Sequence, residues 1–146
     1  MKEILFRGKR KDNGEWIYGV PITDESTNDV YIITSTAGAY LRSEINNMCA
    51  TGFRAIPETV GRYTGLTDKN GTRIFEGDIV KITGFHTTAI AAVKYGSPSE
   101  KSTSWGWYFD DNDGHTYFLM SKAFCRDYNA IIIGNIHDNP ELLKGE

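Results

Sequence analysis

The sequence has few of the features that mark secreted, membrane-spanning or disulfide-stabilised proteins. Only two cysteines, Cys49 and Cys125, occur in 146 residues, and they do not form a CxxC pair. Such scarcity is typical of a reducing compartment. No segment approaches the roughly 18 apolar residues of a membrane span, and the apolar run Ile4–Phe6 is too short for a signal-peptide core. We therefore expect a cytoplasmic protein that does not contact a membrane.

The sequence also lacks an excess of positive charge and the short motifs of common enzyme classes. Its net charge is −3 and its pI is about 5.6, whereas nucleic-acid-binding proteins usually carry a basic face. A GxSxG elbow, a Walker loop and a GxGxxG loop are all absent from the sequence. We predict no catalytic residues and no cofactor, and hence a protein that is not an enzyme.

Residues that could bind a metal are scattered. The acidic turns around Gly71 and Gly114 do not fit an EF-hand, because the register places apolar residues or glycine where the first Asp and last Glu are required. The histidines and cysteines do not stand at the short spacings of structural zinc sites, so we predict no metal site. These residues are Cys49, His86, His115, Cys125 and His137.

The residues that are abundant are those of a β protein. Aromatic residues make up 12% of the chain and there are 15 glycines, which favours strands and tight turns. Short β-prone runs recur at irregular spacings, a pattern that predicts an all-β barrel or sandwich with at most one or two short helices. The predicted strands are residues 4–6, 16–20, 29–34, 59–63, 73–75, 79–82, 89–95, 105–109, 115–119 and 131–136.

Turn signals separate these runs. The triplet Asp12-Asn13-Gly14 predicts an N-terminal hairpin, and Asn70-Gly71 predicts a second tight turn. The acidic run 110–114 predicts a third hairpin. Apolar residues at helical spacing in 35–54 leave two alternatives, a short helix or an irregular loop, and residues 121–128 predict one or two helical turns.

Three segments of the sequence together match one known pattern. They are Phe6-Arg7-Gly8 with 12–16 and Tyr18-Gly19, then 57–61, 63–66 and 68–80, and finally 133–136 with 139–143. In this order they resemble the YopX family, small proteins of bacteriophages and prophages, over both ends and the middle of the chain. The resemblance implies a mostly β fold, a bacterial host cytoplasm and no catalytic residue that could be transferred.

We accordingly expect a single YopX-like domain over residues 1–146. Two subdomains are predicted within it, an N-terminal β layer of residues 1–56 and a barrel-like core of residues 57–146. The core would be a small SH3-like or related barrel built around residues 61–95 and 131–136. The N-terminal hairpin would pack against it as a second layer.

Four polar residues of the central segment have two interpretations. They could form a polar site at one end of the barrel, or they could be turn residues whose side chains bind their own backbone. Each residue type is one that turns favour, so we prefer the second interpretation. The residues are Asp68, Arg73, Glu76 and Asp78.

Nucleic acid is one candidate ligand. Positive charges concentrate near the N-terminus, and two tryptophans could offer stacking surfaces to single-stranded bases. The alternative is that the cations are a solvated hairpin tip and that alternation sends Trp105, Trp107 and Phe109 into the core. The candidate nucleic-acid-binding residues are Arg7, Lys9, Arg10, Lys11, Trp105 and Trp107.

A protein partner is the candidate that the composition favours. A domain of this size with eight Tyr, seven Phe and three Trp is expected to leave some aromatic side chains on its surface, where they favour interfaces. We predict a non-enzymatic protein-interaction or self-assembling module, with a homo-oligomer as one form. A nucleic-acid-binding β module is the alternative.

Overall fold

The computed structural model describes residues 5–34, 52–84, 87–97, 105–111, 116–118 and 122–143, and these residues are mostly in β-strands. Two antiparallel sheets are accompanied, in those ranges, by one six-residue α-helix and two 3₁₀ turns. The all-β prediction with few helices is confirmed. No helix of the described ranges is long and apolar enough to cross a membrane. The chain divides into two compact units, Met1–Tyr63 and Thr64–Glu146.

The first unit begins with the hairpin that Asp12-Asn13-Gly14 predicts. Strand β1 (Phe6–Lys9) pairs antiparallel with β2 (Trp16–Asp24). Gly14 has a φ of 74°, a conformation that glycine adopts without steric cost. The Asn13 side chain accepts a 2.9 Å hydrogen bond from the backbone N–H of Glu15. Local turn chemistry therefore favours the position of this turn.

Two further strands complete this part of the sheet. Strand β3 (Asp29–Thr34) pairs with β2, and β4 (Gly52–Ala55) pairs with the other side of β3. The strand order is β4-β3-β2-β1, followed by β5 (Gly61–Thr67), whose first residues pair with β1. Strand β4 lies in the region where the sequence predicted a helix or a loop. Residues 35–51, which hold the rest of that prediction, lie outside the described residues.

The end of β1 reaches β4 through residues 9–11. The backbone N–H of Lys11 donates to the Arg54 carbonyl at 2.9 Å, and the N–H of Ile56 donates to the Lys9 carbonyl at 2.8 Å. Arg10 forms an isolated antiparallel bridge with Ala55. The side chain of Arg10 is thereby held beside the outermost strand of this unit.

The second unit contains a five-stranded antiparallel sheet. The last residues of β5 and β6 (Arg73–Phe75) precede it. Its strands, in the spatial order β10-β9-β8-β7-β11, leave β10 and β11 at the two edges. Helix α1 (Lys122–Asp127) lies within the predicted helical segment 121–128. The strands are β7 (Asp78–Gly84), β8 (Thr87–Gly96), β9 (Gly106–Asp110), β10 (Thr116–Phe118) and β11 (Ile131–Asn135).

The core of the second unit follows the alternation of its central strands. Val80 and Ile82 of β7, Val93 of β8 and Phe109 of β9 point to the same face and are almost completely buried, as the two-residue period of a strand requires. Ile74, Ala91, Cys125 and Ala130 complete this cluster. Of the aromatic residues predicted to enter the core along β9, Phe109 does so fully.

A closed barrel is not formed in the described part of the chain, which corrects that part of the prediction. The edge strand β11 does not pair with β10. Strand β11 instead contacts the turn that follows β5. The N–H of Lys69 donates to the Ala130 carbonyl at 2.8 Å, and the Asp68 carboxylate accepts from the N–H of Ile132 at 3.1 Å. A turn thus occupies the edge that barrel closure would need.

Candidate interaction surfaces

The four polar residues of the central segment do not form a site. Asp68 is only 6% exposed, and its carboxylate accepts hydrogen bonds from the backbone N–H groups of Asn70 and Thr72, each at 2.9 Å. The carboxylate of Asp78, also buried, accepts from the N–H of Phe75 at 2.7 Å. Glu76 and Arg73 are exposed. The preferred interpretation as turn residues therefore holds for Asp68 and Asp78, whereas Arg73 is the first residue of strand β6.

The structure offers no metal-binding cluster of three or more His, Cys, Asp or Glu residues within its described ranges. Cys49, His86 and His115 lie outside those ranges. Cys125 is buried in the core of the second unit, where burial and then the negative charge of Asp68 raise the pKa of its thiol. A thiol in this environment is a poor nucleophile at neutral pH.

Arg7 and Lys9, two of the predicted nucleic-acid-binding residues, lie at Trp16. Arg7 is only 7% exposed, and its guanidinium carbon lies 4.5 Å from the centre of the Trp16 ring. The ammonium nitrogen of Lys9 is 5.8 Å from the same ring. These distances suit cation–π contacts. Arg7 is therefore a packed residue rather than a surface charge.

Arg10 is held on the surface by two contacts. Its Nε and Nη2 atoms donate to the two carboxylate oxygens of Asp12 at 3.0 and 2.6 Å, and its guanidinium carbon lies 4.3 Å from the centre of the Phe53 ring. The hydrogen bond from Arg10 lowers the pKa of Asp12, and the same bond raises the pKa of Arg10. This bidentate pairing fixes the plane of the guanidinium group.

A groove opens beside β4 in the first unit. We call it the basic groove; it has a volume of about 540 Å³. Arg54, on its wall, donates to Asp29 at 2.9 Å. This hydrogen bond is the main cause of the lowered pKa of Asp29, and the charge of Lys11 contributes. The groove is lined by Arg10, Lys11, Asp12, Tyr31, Gly52, Phe53 and Arg54.

Three aromatic side chains lie on or next to the strand pair of β8 and β9 in the second unit. We call Tyr95, Trp105 and Trp107 the aromatic cluster. Trp107 is partly buried and packs against the core, whereas the other two are exposed. Tyr95 is 58% exposed and pairs across the strands with Trp107, their ring centres 4.9 Å apart and their planes at 62°. Trp105 is 70% exposed. The expectation that it enters the core is wrong, because it precedes the first residue of β9 and the alternation does not extend to it.

The ring of Trp105 lies near Gly96, the last residue of β8. A Cβ atom at Gly96 would be 3.7 Å from the six-membered part of that ring, an ordinary van der Waals contact. Gly96 has a φ of 136°, which disfavours any other residue there. Lys94 and Asp110 form a 2.9 Å ion pair diagonally across the same two strands, on the face opposite Tyr95 and Trp107. Tyr95 and Trp107 therefore lie on a paired stretch of β8 and β9.

The candidate residues that the sequence grouped together belong to different units. Arg10 and Lys11 line the basic groove of the first unit, whereas Trp105 and Trp107 belong to the second. Sequence analysis missed Tyr31, Phe53 and Arg54, because they meet Arg10 only through the pairing of β4. It also missed Tyr95, whose partner follows from the register of β8 with β9. The predicted strands 89–95 and 105–109 would have aligned Tyr95 with Trp105, two residues away from the observed register.

Comparisons with known proteins identify a family and a fold. A family model described as "YopX protein" matches residues 5–144, and the chain therefore belongs to the YopX family. The crystal structure of protein EF1440 from Enterococcus faecalis is similar, with a TM-score of 0.56 and 23% sequence identity, over 98% of this chain and 99% of that one. At this identity the likeness concerns the fold alone. No curated protein matches the chain.

Proposed function

We propose that this member of the YopX family is a non-enzymatic protein-interaction module that binds its partner through the aromatic cluster. The observation that carries the proposal is the 70% exposure of Trp105 beside the 58% exposed Tyr95. Tryptophan and tyrosine are the residues most enriched among those that dominate the energy of protein interfaces. A second copy of this chain is one candidate partner, and a different protein is the other.

The burial of Trp105 would contribute as much energy as a typical interface hot spot. Burying a tryptophan removes about 150–250 Å² from water, so at 70% exposure roughly 140 Å² of Trp105 is still accessible. At about 25 cal/mol per Å², its burial contributes about 3.5 kcal/mol. This is the size of effect seen at interface hot spots.

The backbone around the cluster favours binding because little order is lost. Tyr95 and Trp107 are direct partners on paired strands, and their rings are in edge-to-face contact. Side chains already held by neighbouring groups lose less conformational entropy when a partner covers them. The cluster is thus suited to act as a preorganised anchor.

The setting implied by the family resemblance is part of the same proposal. We infer a role in the cytoplasm of a bacterium that carries a phage or prophage. In that setting a small module without catalytic residues acts by binding another protein or by assembling with itself. A homo-oligomer is the simpler of these two outcomes.

Site-specific photo-cross-linking tests the proposal directly. A photoreactive phenylalanine analogue replaces Trp105, and in a control protein it replaces Lys81, an exposed residue of β7. In bacterial cells that produce the protein, position 105 is expected to yield discrete adducts that position 81 does not. Adducts of the mass of two chains identify self-association. Equal yields at both positions would rule out the aromatic cluster as the binding surface.

Sedimentation velocity of the purified protein provides the matching measurement in solution. If the partner is a second copy, Trp105→Ala weakens association by at least about 30-fold, the equivalent of about 2 kcal/mol at a hot spot. Lys81→Ala should leave association unchanged. A monomeric wild-type protein combined with discrete adducts at position 105 indicates a partner of different sequence.

A further inference from the structure

We propose that the basic groove of the first unit binds a nucleotide unit, either as a free nucleotide or as part of a single strand. This inference is independent of the aromatic cluster and of the protein partner. The groove has the two chemical features that a nucleotide needs, cations for the phosphate and flat side chains for the base. Its volume of about 540 Å³ lies in the usual range for small-ligand sites, about 300–1,000 Å³.

The charge of the groove favours an anion. Its lining carries three cationic side chains, Arg10, Lys11 and Arg54, and one carboxylate, that of Asp12. Asp29 pairs with Arg54 from outside the lining, so the local excess is one positive charge. This local excess occurs in a chain whose net charge is −3. A groove with positive walls attracts phosphate even when the protein as a whole is acidic, because the field at short range is set by the nearest charges.

The two arginines are oriented by carboxylates but keep donors for a ligand. Arg54 uses Nη2 to contact Asp29, and a guanidinium group has five N–H donors. The side chains of Arg54 and Tyr31 lie on the same face of the sheet, because they are direct partners in the pairing of β4 with β3. A phosphate at Arg54 and Lys11 therefore places the attached sugar and base near Tyr31.

Flat surfaces for a base are present on both sides of the β4 edge. Phe53 neighbours Arg54 in the strand, so its side chain lies on the opposite face, where the guanidinium of Arg10 covers it. The groove is lined by residues of both faces and so follows the edge of the strand. Aromatic rings and guanidinium planes are the groups on which proteins stack unpaired bases.

The salt dependence of binding is a quantitative expectation of the proposal. Contacts from Lys11 and Arg54 to phosphate correspond to two released counterions. The slope of log K against log salt for a single strand is then about −1.4. Between about 50 and 200 mM salt, affinity falls about 7-fold. In Lys11→Ala one contact is lost, and the fall becomes about 2.6-fold.

The test uses fluorescence anisotropy of the full-length protein with a labelled oligothymidylate of about ten nucleotides, with thymidine monophosphate as competitor. Lys11→Ala and Arg54→Ala should each weaken binding about 12-fold or more at low salt, since charged hydrogen bonds of about 1.5 kcal/mol or more are lost. Lys81→Ala removes the same charge outside the groove and should have less than a 2-fold effect. Far-UV circular dichroism checks that each variant is folded.

Substitutions at Tyr31 separate stacking from folding. Tyr31→Phe keeps the ring and should bind within about 2-fold of wild type, whereas Tyr31→Ala should lose at least about 5-fold. Displacement of the strand by the monophosphate identifies a site for one nucleotide unit. Binding of the strand without displacement assigns the site to a longer strand. The proposal is overturned if neither probe binds at low salt, or if Lys81→Ala weakens binding as much as Lys11→Ala.

Discussion

The carboxylate of Asp68 should be among the largest single contributors to the stability of the second unit. Its Oδ1 atom accepts hydrogen bonds from the backbone N–H groups of Asn70 and Thr72, and its Oδ2 atom accepts from the N–H of Ile132. One buried side chain thus closes the turn after β5 and fastens it to the edge strand β11. We predict that Asp68→Ala destabilises the protein strongly.

The expected loss of stability depends on whether each of the three N–H donors can find another acceptor. A hydrogen bond to a charged group contributes about 1.5–3 kcal/mol, and an unsatisfied buried donor costs about 1–3 kcal/mol. Asn70 and Thr72 are exposed, so water can replace the lost acceptor there, whereas Ile132 is partly buried. We expect a loss of about 3–4 kcal/mol in the free energy of unfolding. Asp68→Asn keeps one acceptor oxygen and should lose about half as much.

Urea unfolding measures this effect. For a denaturant slope of about 2 kcal/mol per M, Asp68→Ala lowers the midpoint by about 1.5–2 M. Asp127, which is exposed and pairs with Arg126, is a matched control, and Asp127→Ala should change stability by less than about 0.5 kcal/mol. If the two alanine variants unfold at the same urea concentration, the structural role assigned to Asp68 is wrong.

Three further predictions concern other parts of the structure. Because Arg10 holds the pKa of Asp12 down, the pair stabilises the fold above the ordinary pKa of an aspartate, and this contribution is lost as pH falls through the depressed value. Carboxyl NMR titration should show the Asp12 pKa rising in Arg10→Gln, and an unchanged value would contradict the pairing. Cys125 is buried and the pKa of its thiol is raised. At neutral pH it should be alkylated at least 10-fold more slowly in the folded protein than in the protein unfolded in urea. Mass spectrometry of its peptide measures the two rates, and equal rates would contradict its burial. Gly19→Ala should lower the free energy of unfolding by more than about 2 kcal/mol, because the added Cβ would collide with the Ile33 carbonyl. A Cβ at Gly106 meets nothing within 4 Å. Thermal unfolding should therefore show a much smaller loss of stability for Gly106→Ala.

Local turn chemistry is the part of the fold that the sequence predicts well. Gly14 and Gly71 have φ values of 74° and 86°, in the left-handed region that the Asn-Gly pairs indicate. The N–H of Gly71 donates to the Asp68 carbonyl at 3.0 Å. Turns of this kind depend on residues four or fewer positions apart, so the pattern of one short segment is enough to predict them.

Features that depend on distant pairing could not be predicted in this way. Strand β4 has only four residues, Gly52–Ala55, and its partner in β3 lies about twenty positions earlier. Without that register, Phe53 and Arg54 are not expected near Arg10. The burial of Arg7 could not be predicted for a different reason. A cation close to other cations in the sequence suggests a solvated surface, whereas the Arg7 side chain packs on Trp16. The residues of the basic groove are therefore brought together only by the pairing of β4 with β3.

The distribution of charge between the two units predicts that the two proposed surfaces respond differently to salt. Lys and Arg equal Asp and Glu in Met1–Tyr63, at eight each, whereas Thr64–Glu146 has eight against eleven. The net charge of −3 therefore belongs to the unit that carries the aromatic cluster. Salt should weaken binding to the basic groove about 7-fold between about 50 and 200 mM, but it should leave self-association through the cluster unchanged or slightly stronger, because it screens repulsion between acidic units. Trp105→Ala should leave nucleotide binding within about 2-fold, and Lys11→Ala should leave cross-linking at position 105 intact. Loss of both activities in either folded variant would show that the two surfaces are not independent.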